Sequence, residues 1–366
     1  MTEYRYLFAD LLTNQIKAEL PLSQVSFGQE LNTSGSFSGK LLLSDLREAV
    51  YSIDTATTPA RTAVYVDRDG TIVWGGVLWN RSYDSASQSM TFTGREFESY
   101  FERRRINFTY NSAQASQDQL LVVQNLFNTV QGSAGSSTNI GVQVGTETSG
   151  VSVTKYYNYY DLKPLTEAVY ELSRSTTGFD WNIDVAYDSS YNIIKTLHLE
   201  YPRRGIVYGV NDTYDPVLEF PGNIIAYTYP EEGFQVANTL YGIGAGQTIG
   251  KLISVQQDAT QITNGWPTLE GSVSYTDYDY QPLLDNLTLA QLNATKNPVV
   301  VMQVVTTSYN EPILGSYKTG DDFRIRITDD RFPTTLDVIR RLAKYEVQVG
   351  DNGPERVTFS FVVTTN

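Results

Sequence analysis

The stretches SMTFTG (residues 89–94) and RVTFSF (residues 356–361) read almost alike, and each follows an aspartate at the same spacing. Asp84 precedes Met90 as Asp351 precedes Val357, so the pattern D-x5-[MV]-T-F-[ST] is written once in each terminal third of the chain. In both copies apolar residues alternate with hydroxyl-bearing ones. Successive side chains of a strand point to opposite faces, so a period of two marks a strand with one buried face and one wetter face.

The likeness extends upstream. TAVYVDRD (62–69) and FRIRITDD (323–330) both alternate and then turn on acids, with Val64 matching Ile325, Val66 matching Ile327 and Asp69 matching Asp330. The order of the matched segments is kept, and the second copy gains a longer loop around ITDDRFPTT (327–335). Alternation alone is shared by any two hairpins. Two matched segments in the same order point further, to a duplicated domain and not to a short-period solenoid.

Around the first copy, TAVYVDRDGTIVWGGVLW predicts a hairpin turning at Asp67–Gly70, and RSYDSASQSMTFTG predicts a second with a polar tip. REFESYFERRR predicts a short helix with a basic end, Arg103 to Arg105. With the runs QIKAELPLSQVSFGQEL and FSGKLLLSD, residues 1–106 are expected to form a first small β-barrel. Residues 107–215 change character. Leu120, Val123, Phe127 and Val130 share one helix face ending before Gly132, and a second helix is expected from an Asp161 N-cap, with Leu162, Leu165, Val169 and Leu172 on one face. A hairpin with tip Asp188–Asn192 completes an α+β insert. From 216 to 366 strands return as a second barrel, with a helical insertion around 283–297 stopped by Asn297-Pro298. The expected fold class is α+β, mainly β: two related small β-barrels in one chain joined by an α+β insert.

Composition supports this. The 366 residues include 26 Tyr and 27 Gly, a mixture suited to strands and tight turns. A net charge of −14 lacks the basic footprint of nucleic-acid binding and disfavours an anionic membrane surface. With no Cys and one His, thiolate chemistry, multi-His metal sites and a Ser-His-Asp site are all disfavoured. His198 sits in the strand-like KTLHLEYP and reads as structural. The start MTEYRYLFAD has no continuous apolar run, so no signal peptide is expected, and the longest apolar stretch, PVVVMQVV from Pro298, is far too short for a bilayer span.

Chemical motifs are sparse. DRDG (67–70) resembles the start of a calcium loop, but Leu78 stands where an EF-hand needs Glu. GIGAGQ (242–247) lacks the Lys-Ser/Thr ending and the G-x-G-x-x-G spacing of phosphate loops, and reads as a strand end turning sharply or approaching a neighbour closely. Paired carboxylates such as Asp180/Asp184 or Asp277/Asp279 could serve glycan hydrolysis, but have no special context. TKYYNYY (154–160) and YTDYDYQP (275–282) fit protein interfaces better than sugar stacking. No catalytic, cofactor-binding or metal-binding residue is assigned.

WGGVL (74–78), FTGREF (92–97), VANTLYGIGAG (236–246) and ILGSYKTGDDFRIRI (313–327), in this order, resemble the tail hub proteins of long non-contractile-tailed phages, notably the minor tail proteins of actinobacterial phages. The group is similar to the baseplate hub of contractile tails. The resemblance implies a homotrimer whose six barrels form a ring at the tail tip, adapting the sixfold tube to the tip and lining or closing the DNA channel until ejection. It implies the distal tail protein, the tape-measure protein and tip or fibre proteins as partners, with DNA met only in passage and no membrane insertion. It implies a virion location after assembly in the host cytoplasm, with no enzyme activity and no cofactor. The alternatives are a carbohydrate-binding or glycan-hydrolysing tail protein and a secreted adhesin-like β-protein, the latter disfavoured without a signal peptide.

Overall fold

A computed structural model gives the structure of the protein and describes residues 2–43, 53–112, 115–210, 215–276, 278–307, 310–350 and 355–362. Asp351 of the repeated pattern and Asp277 lie outside the described residues. The chain forms two compact units, Met1–Ala226 with Val304–Ser360, and Tyr227–Gln303 with Phe361–Asn366.

The first unit opens with β1 (Tyr4–Asp10), β2 (Ile16–Glu19), β3 (Ser23–Glu30), β4 (Ser36–Leu42), the short α1 (Ile53–Ala56), β5 (Thr62–Arg68), β6 (Thr71–Asp84) and β7 (Ser89–Glu96). β5, β6 and β7 are an antiparallel meander, with Val66 opposite Trp74 and Tyr83 opposite Met90. The turn at 67–70 is a hairpin tip: Asp69 and Gly70 adopt φ of 51° and 81°, values an Asp-Gly pair accepts readily.

The next segment holds α2 (Glu98–Phe101), β8 (Tyr110–Asn111), β9 (Gln117–Asp118), α3 (Gln119–Gln131), β10 (Val142–Val144), β11 (Ser152–Val153), β12 (Tyr156–Tyr157), α4 (Leu165–Ser173), β13 (Asp180–Tyr187) and β14 (Ile193–Glu200). α3 buries Leu120, Val123, Phe127 and Val130, the face read from their spacing. It is capped by Asp118, whose side chain accepts from Leu120 N–H, satisfying a donor that the first turn leaves without a helical partner. Two boundaries differ from expectation. α4 starts at Leu165 and not after Asp161, because Pro164 disfavours helical dihedrals in the residue before it, and Leu162 lies exposed at φ 45°. The helix expected across REFESYFERRR is one turn, because β7 continues through Glu96. β13 and β14 form the expected hairpin, with β10 parallel to β14. One core joins this segment to the first meander, with Tyr65, Phe97, Phe101, Phe127 and Trp181 all buried in it.

β15 (Val217–Phe220) and β16 (Ile224–Thr228) follow. The second unit holds β17 (Glu231–Glu232), β18 (Thr239–Ile243), β19 (Ile253–Gln257), α5 (Ala259–Thr263), β20 (Glu270–Ser274), α6 (Gln281–Thr295) and β21 (Val299–Val300). β18 lies between antiparallel β19 and parallel β20, and α6 covers it. Gly242 allows this closeness: a Cβ there would lie 1.9 Å from Thr288 Oγ1.

The chain then forms β22 (Met302–Thr307), β23 (Asp322–Ile327), β24 (Leu336–Gln348) and β25 (Arg356–Val362). The main sheet has 13 strands and runs β16-β22-β25-β24-β3-β4-β7-β6-β5-β1-β2, with β23 beside β24 and β15 beside β23. The order β3-β4-β7-β6-β5 is repeated by β16-β22-β25-β24-β23. SMTFTG and RVTFSF therefore occupy the same strand of two equivalent meanders, β7 and β25. They also share phase. Met90 and Val357 are buried, as are Phe92 and Phe359, while Thr91, Thr93, Thr358 and Ser360 are half-buried on the other face. Phe92 meets Phe8 with ring centroids 5.4 Å apart, and Phe359 meets Phe323 at 5.3 Å. The T-F-[ST] pattern is thus a core ring on a strand whose other face needs only short side chains. The flanking strands differ in direction: β1 is antiparallel to β5, whereas β15 is parallel to β23.

Candidate functional site

The chemical motifs resolve into structural roles. In the DRDG turn, buried Asp67 accepts from Gly70 N–H at 2.8 Å and from Tyr187 hydroxyl at 2.7 Å. GIGAGQ is the end of β18 and the turn beyond it, with Gly246 at φ 106°. His198, on β14, faces Glu147 at 3.7 Å and Asp184 at 3.8 Å. Among the described residues no cluster of His, Cys, Asp and Glu is placed to hold a metal ion, and no helix is long and apolar enough to cross a membrane.

A groove of about 700 Å³ is lined by Phe37, Trp79, Thr93, Arg95, Glu102 and Arg103 among others. Its single carboxylate, Glu102, is held by both terminal nitrogens of Arg95, at 2.8 and 3.0 Å. Glycan hydrolysis by the usual mechanism needs two carboxylates flanking the bond. Of the Tyr-rich stretches, Tyr156, Tyr159, Tyr160 and Tyr280 are exposed, whereas Tyr157 is buried.

The densest polar cluster joins the two meanders. Asp180, at the start of β13, accepts from Asn32 Nδ2 at 2.7 Å and from Arg204 N–H at 2.7 Å, and pairs with Arg341 of β24. Asn32 lies in the turn between β3 and β4, and its Oδ1 accepts from Trp181 N–H at 2.7 Å. One carboxylate therefore ties the first copy, the insert hairpin and the second copy together. Beside it, buried Arg204 donates to Asp184 at 2.6 Å and Glu200 at 2.8 Å, and Arg203 grips Asp322 with two nitrogens at 2.6 and 3.1 Å. Asp180 and Asp184, unremarkable in sequence, have this context only in three dimensions. The doublets Arg203-Arg204 and Asp321-Asp322 were not singled out from sequence, although a basic pair and an acidic pair in one acidic chain are a visible signal.

Two further carboxylates are buried under this junction. Glu98 Oε1 accepts from Ile183 N–H at 2.6 Å and Glu96 Oε2 accepts from Gly35 N–H at 2.7 Å. Burial pushes Glu98 up to about 7 and Glu96 well above the ordinary carboxylate range, Glu96 raised further by the nearby Glu98 charge. Burial also lowers Lys195, on β14, to about 8, with its ammonium 4.9 Å from the centre of the Phe97 ring. A network of this kind fixes the geometry of a junction.

Solved structures of phage tail proteins are similar to this chain over nearly its whole length. The 43 kDa tail protein of prophage MuSo2 from Shewanella oneidensis matches at a TM-score of 0.62 and 13% identity, over 98% of each chain. A tail protein from Neisseria meningitidis MC58 matches at 0.56 and 12%, over 98% of this chain and 96% of that one. The prophage tail protein gp18 from Listeria monocytogenes EGD-e matches at 0.53 and 13%, over 97% and 94%. The chain has a phage tail hub-like fold. A chain of the Francisella PdpA–VgrG complex also matches, at 0.56 and 6%, over 99% of this chain and 53% of that one. No protein-family model and no curated protein matches the sequence.

Proposed function

We propose that this chain is a structural phage tail protein, the homotrimeric hub of a tail tip, without enzyme activity or cofactor. The observation that carries the reading is the repeated strand order, β3-β4-β7-β6-β5 and β16-β22-β25-β24-β23, within one continuous sheet. A chain that presents the same unit twice lets three copies present six similar faces, which is what an adaptor between a sixfold tube and a threefold tip requires. On this reading residues 1–106 and 216–366 are the two hub barrels and 107–215 the insert that spaces them.

The polar junction around Asp180 supports a mechanical role, because it locks the angle between the two copies. The partners are the distal tail protein ring, the tape-measure protein and tip or fibre proteins, and the exposed Tyr156, Tyr159 and Tyr160 are interface material of the kind such contacts use. The net charge of −14 suits a channel that DNA passes without sticking. The protein sits at the tail tip of the virion, and assembles in the host cytoplasm. The carbohydrate reading draws no support from the groove, whose only acid is neutralised by Arg95.

The experiment is the solution mass of the purified full chain by light scattering, together with labelling of the protein on virions. A mass of three chains and a label confined to the tail tip are expected. A monomer at every concentration, or a label absent from virions, overturns the hub reading.

A further inference from the structure

The two copies differ at one edge, and the difference specifies how neighbouring subunits join. In the second copy, β24 uses one side twice. Residues 336–341 pair with β23, and residues 344–348 pair antiparallel with β3, from Lys344 opposite Glu30 to Gln348 opposite Ser26. In the first copy, β6 pairs with β5 only as far as Val77, and among the described residues no strand continues along that side. The equivalence is fixed by a shared backbone bond. Gly320 N–H, just before β23, donates to Leu342 carbonyl at 2.8 Å, and Ala60 N–H, just before β5, donates to Leu78 carbonyl at 2.7 Å. Leu78 thus stands where Leu342 does, and residues 80–84 stand where residues 344–348 do.

The complementary edge is present too. β3 is the strand that receives β24, and its equivalent in the second copy is β16, the terminal strand of the sheet. β24 and β3 are paired on both sides within the chain, whereas the tip half of β6, paired with β7, and β16, paired with β22, have no second partner among the described strands. Exposure agrees. Tyr345 and Val347 are buried at the internal junction, but Tyr83, at the place of Val347, is 55% exposed, and Ile225 on β16 is 47% exposed. An open strand edge with exposed apolar side chains invites pairing with another chain.

We propose that residues 80–84 of one subunit pair antiparallel with β16 of the next, so that each contact between chains repeats the β24–β3 junction within a chain. This rests on the hub reading for ring closure. The contact is head-to-tail, joining two different edges, and such contacts close into a ring when the rotation allows. The partner of this surface is a second copy of the same chain.

The absence of Cys makes the test clean. Ser82 takes the place of Glu346, which lies opposite Gly28 at the centre of the internal junction, and Ala226 is the central residue of β16. Cα atoms of paired strands stand about 4.5–5.5 Å apart, within disulfide range. Carrying Ser82→Cys with Ala226→Cys, or with Ile225→Cys to cover a one-residue shift, the chain under a mild oxidant should form covalent head-to-tail oligomers that end in a closed trimer. A mixture of the two single variants should stop at covalent dimers, and neither alone should cross-link. Cross-linking by Ser82→Cys alone overturns the proposal, since it means the edge meets itself. So does failure of both double variants in a solution where the wild type has the mass of a trimer. If the wild type is monomeric, the hub reading fails, and the edge is judged separately: covalent head-to-tail oligomers support it and their absence overturns it.

Discussion

Arg68 Nε donates to Glu355 Oε1 at 2.8 Å, and Arg68 Nη2 to Glu355 Oε2 at 3.1 Å, so a two-pronged ion pair joins the end of β5 to the residue just before β25. The pair links the two copies across almost the whole sequence and is largely out of solvent, with side-chain exposures of 15% and 6%. Removing Glu355 leaves the Arg68 guanidinium largely buried without its carboxylate. Replacing Glu355 with Gln should therefore cost about 3 kcal/mol, whereas replacing both residues with Met should cost less than either single change. Urea denaturation of the two single variants and the double variant measures this. Additive costs would show that the pair does not couple the copies.

Glu98 should make stability fall as pH rises. Its folded pKa, raised by burial to about 7, lies above the ordinary value of 4.5. The folded chain then binds more protons than the unfolded chain between those values, so stability is highest below pH 4.5 and declines until about pH 7. One pKa unit corresponds to about 1.4 kcal/mol, so the decline attributable to this group is on the order of 3 kcal/mol. Glu98→Gln keeps an oxygen for Ile183 N–H and removes the titration. Thermal unfolding from pH 5 to pH 8 should give a flatter profile for the variant, and it should exceed the wild type at the alkaline end. Parallel profiles would assign the slope to other groups.

Lys195 behaves in the opposite sense. Its pKa is lowered by burial to about 8 from 10.5, so the folded chain binds fewer protons than the unfolded chain between these values, and stability rises with pH across that window. Its ammonium finds no hydrogen-bond partner among the described residues. Lys195→Met preserves the length of the stem and removes a buried charge. The variant should be more stable than the wild type at pH 7 by about 1–3 kcal/mol, with the gain shrinking toward pH 10. A loss of stability at pH 7 would mean that the contact with Phe97 outweighs desolvation.

Strand identity was legible wherever alternation met a turn signal. Val64 and Val66 against Ile325 and Ile327, and Phe92 against Phe359, already paired the two meanders strand for strand, because a core ring leaves a fixed period in sequence, but the match of β5 to β23 was two residues out of register: with Leu78 at the place of Leu342, Val64 stands where Phe323 does and Val66 where Ile325 does. α3 was legible for the same reason, through Leu120, Val123, Phe127 and Val130. The start of α4 was not, because Asp161 is a good cap by type while Pro164 sets the actual boundary. The pairing of β24 with β3 and the meeting of Asn32, Asp180 and Arg341 were hidden for a different reason. They join residues far apart in the chain, and neither period nor local propensity carries long-range partners. The edge left open on β6 shows only when two structurally equivalent strands are compared.

Asp180 is where the three parts of the first unit meet, and its removal should separate stability from local folding. Asp180→Ala strips the acceptors from Asn32 Nδ2 and Arg204 N–H and leaves Arg341 without its carboxylate. Orphaning these donors and taking the carboxylate from a half-buried guanidinium, which keeps its bonds to the Gly320 and Arg204 carbonyls, should cost about 3 kcal/mol. Asp180→Asn retains one acceptor oxygen and should cost less, but its amide would face the Arg341 guanidinium, so it cannot restore the pair. Arg341→Met in the Asp180→Asn background should recover part of the loss, because the unpaired cation is gone. Hydrogen exchange gives the diagnostic readout: in Asp180→Ala, amides of β3 and β24 around Gly28 and Glu346 should lose protection, while those of β5 and β6 should keep theirs. Uniform loss of protection across both meanders would mean that Asp180 supports global stability alone and does not specifically hold the junction.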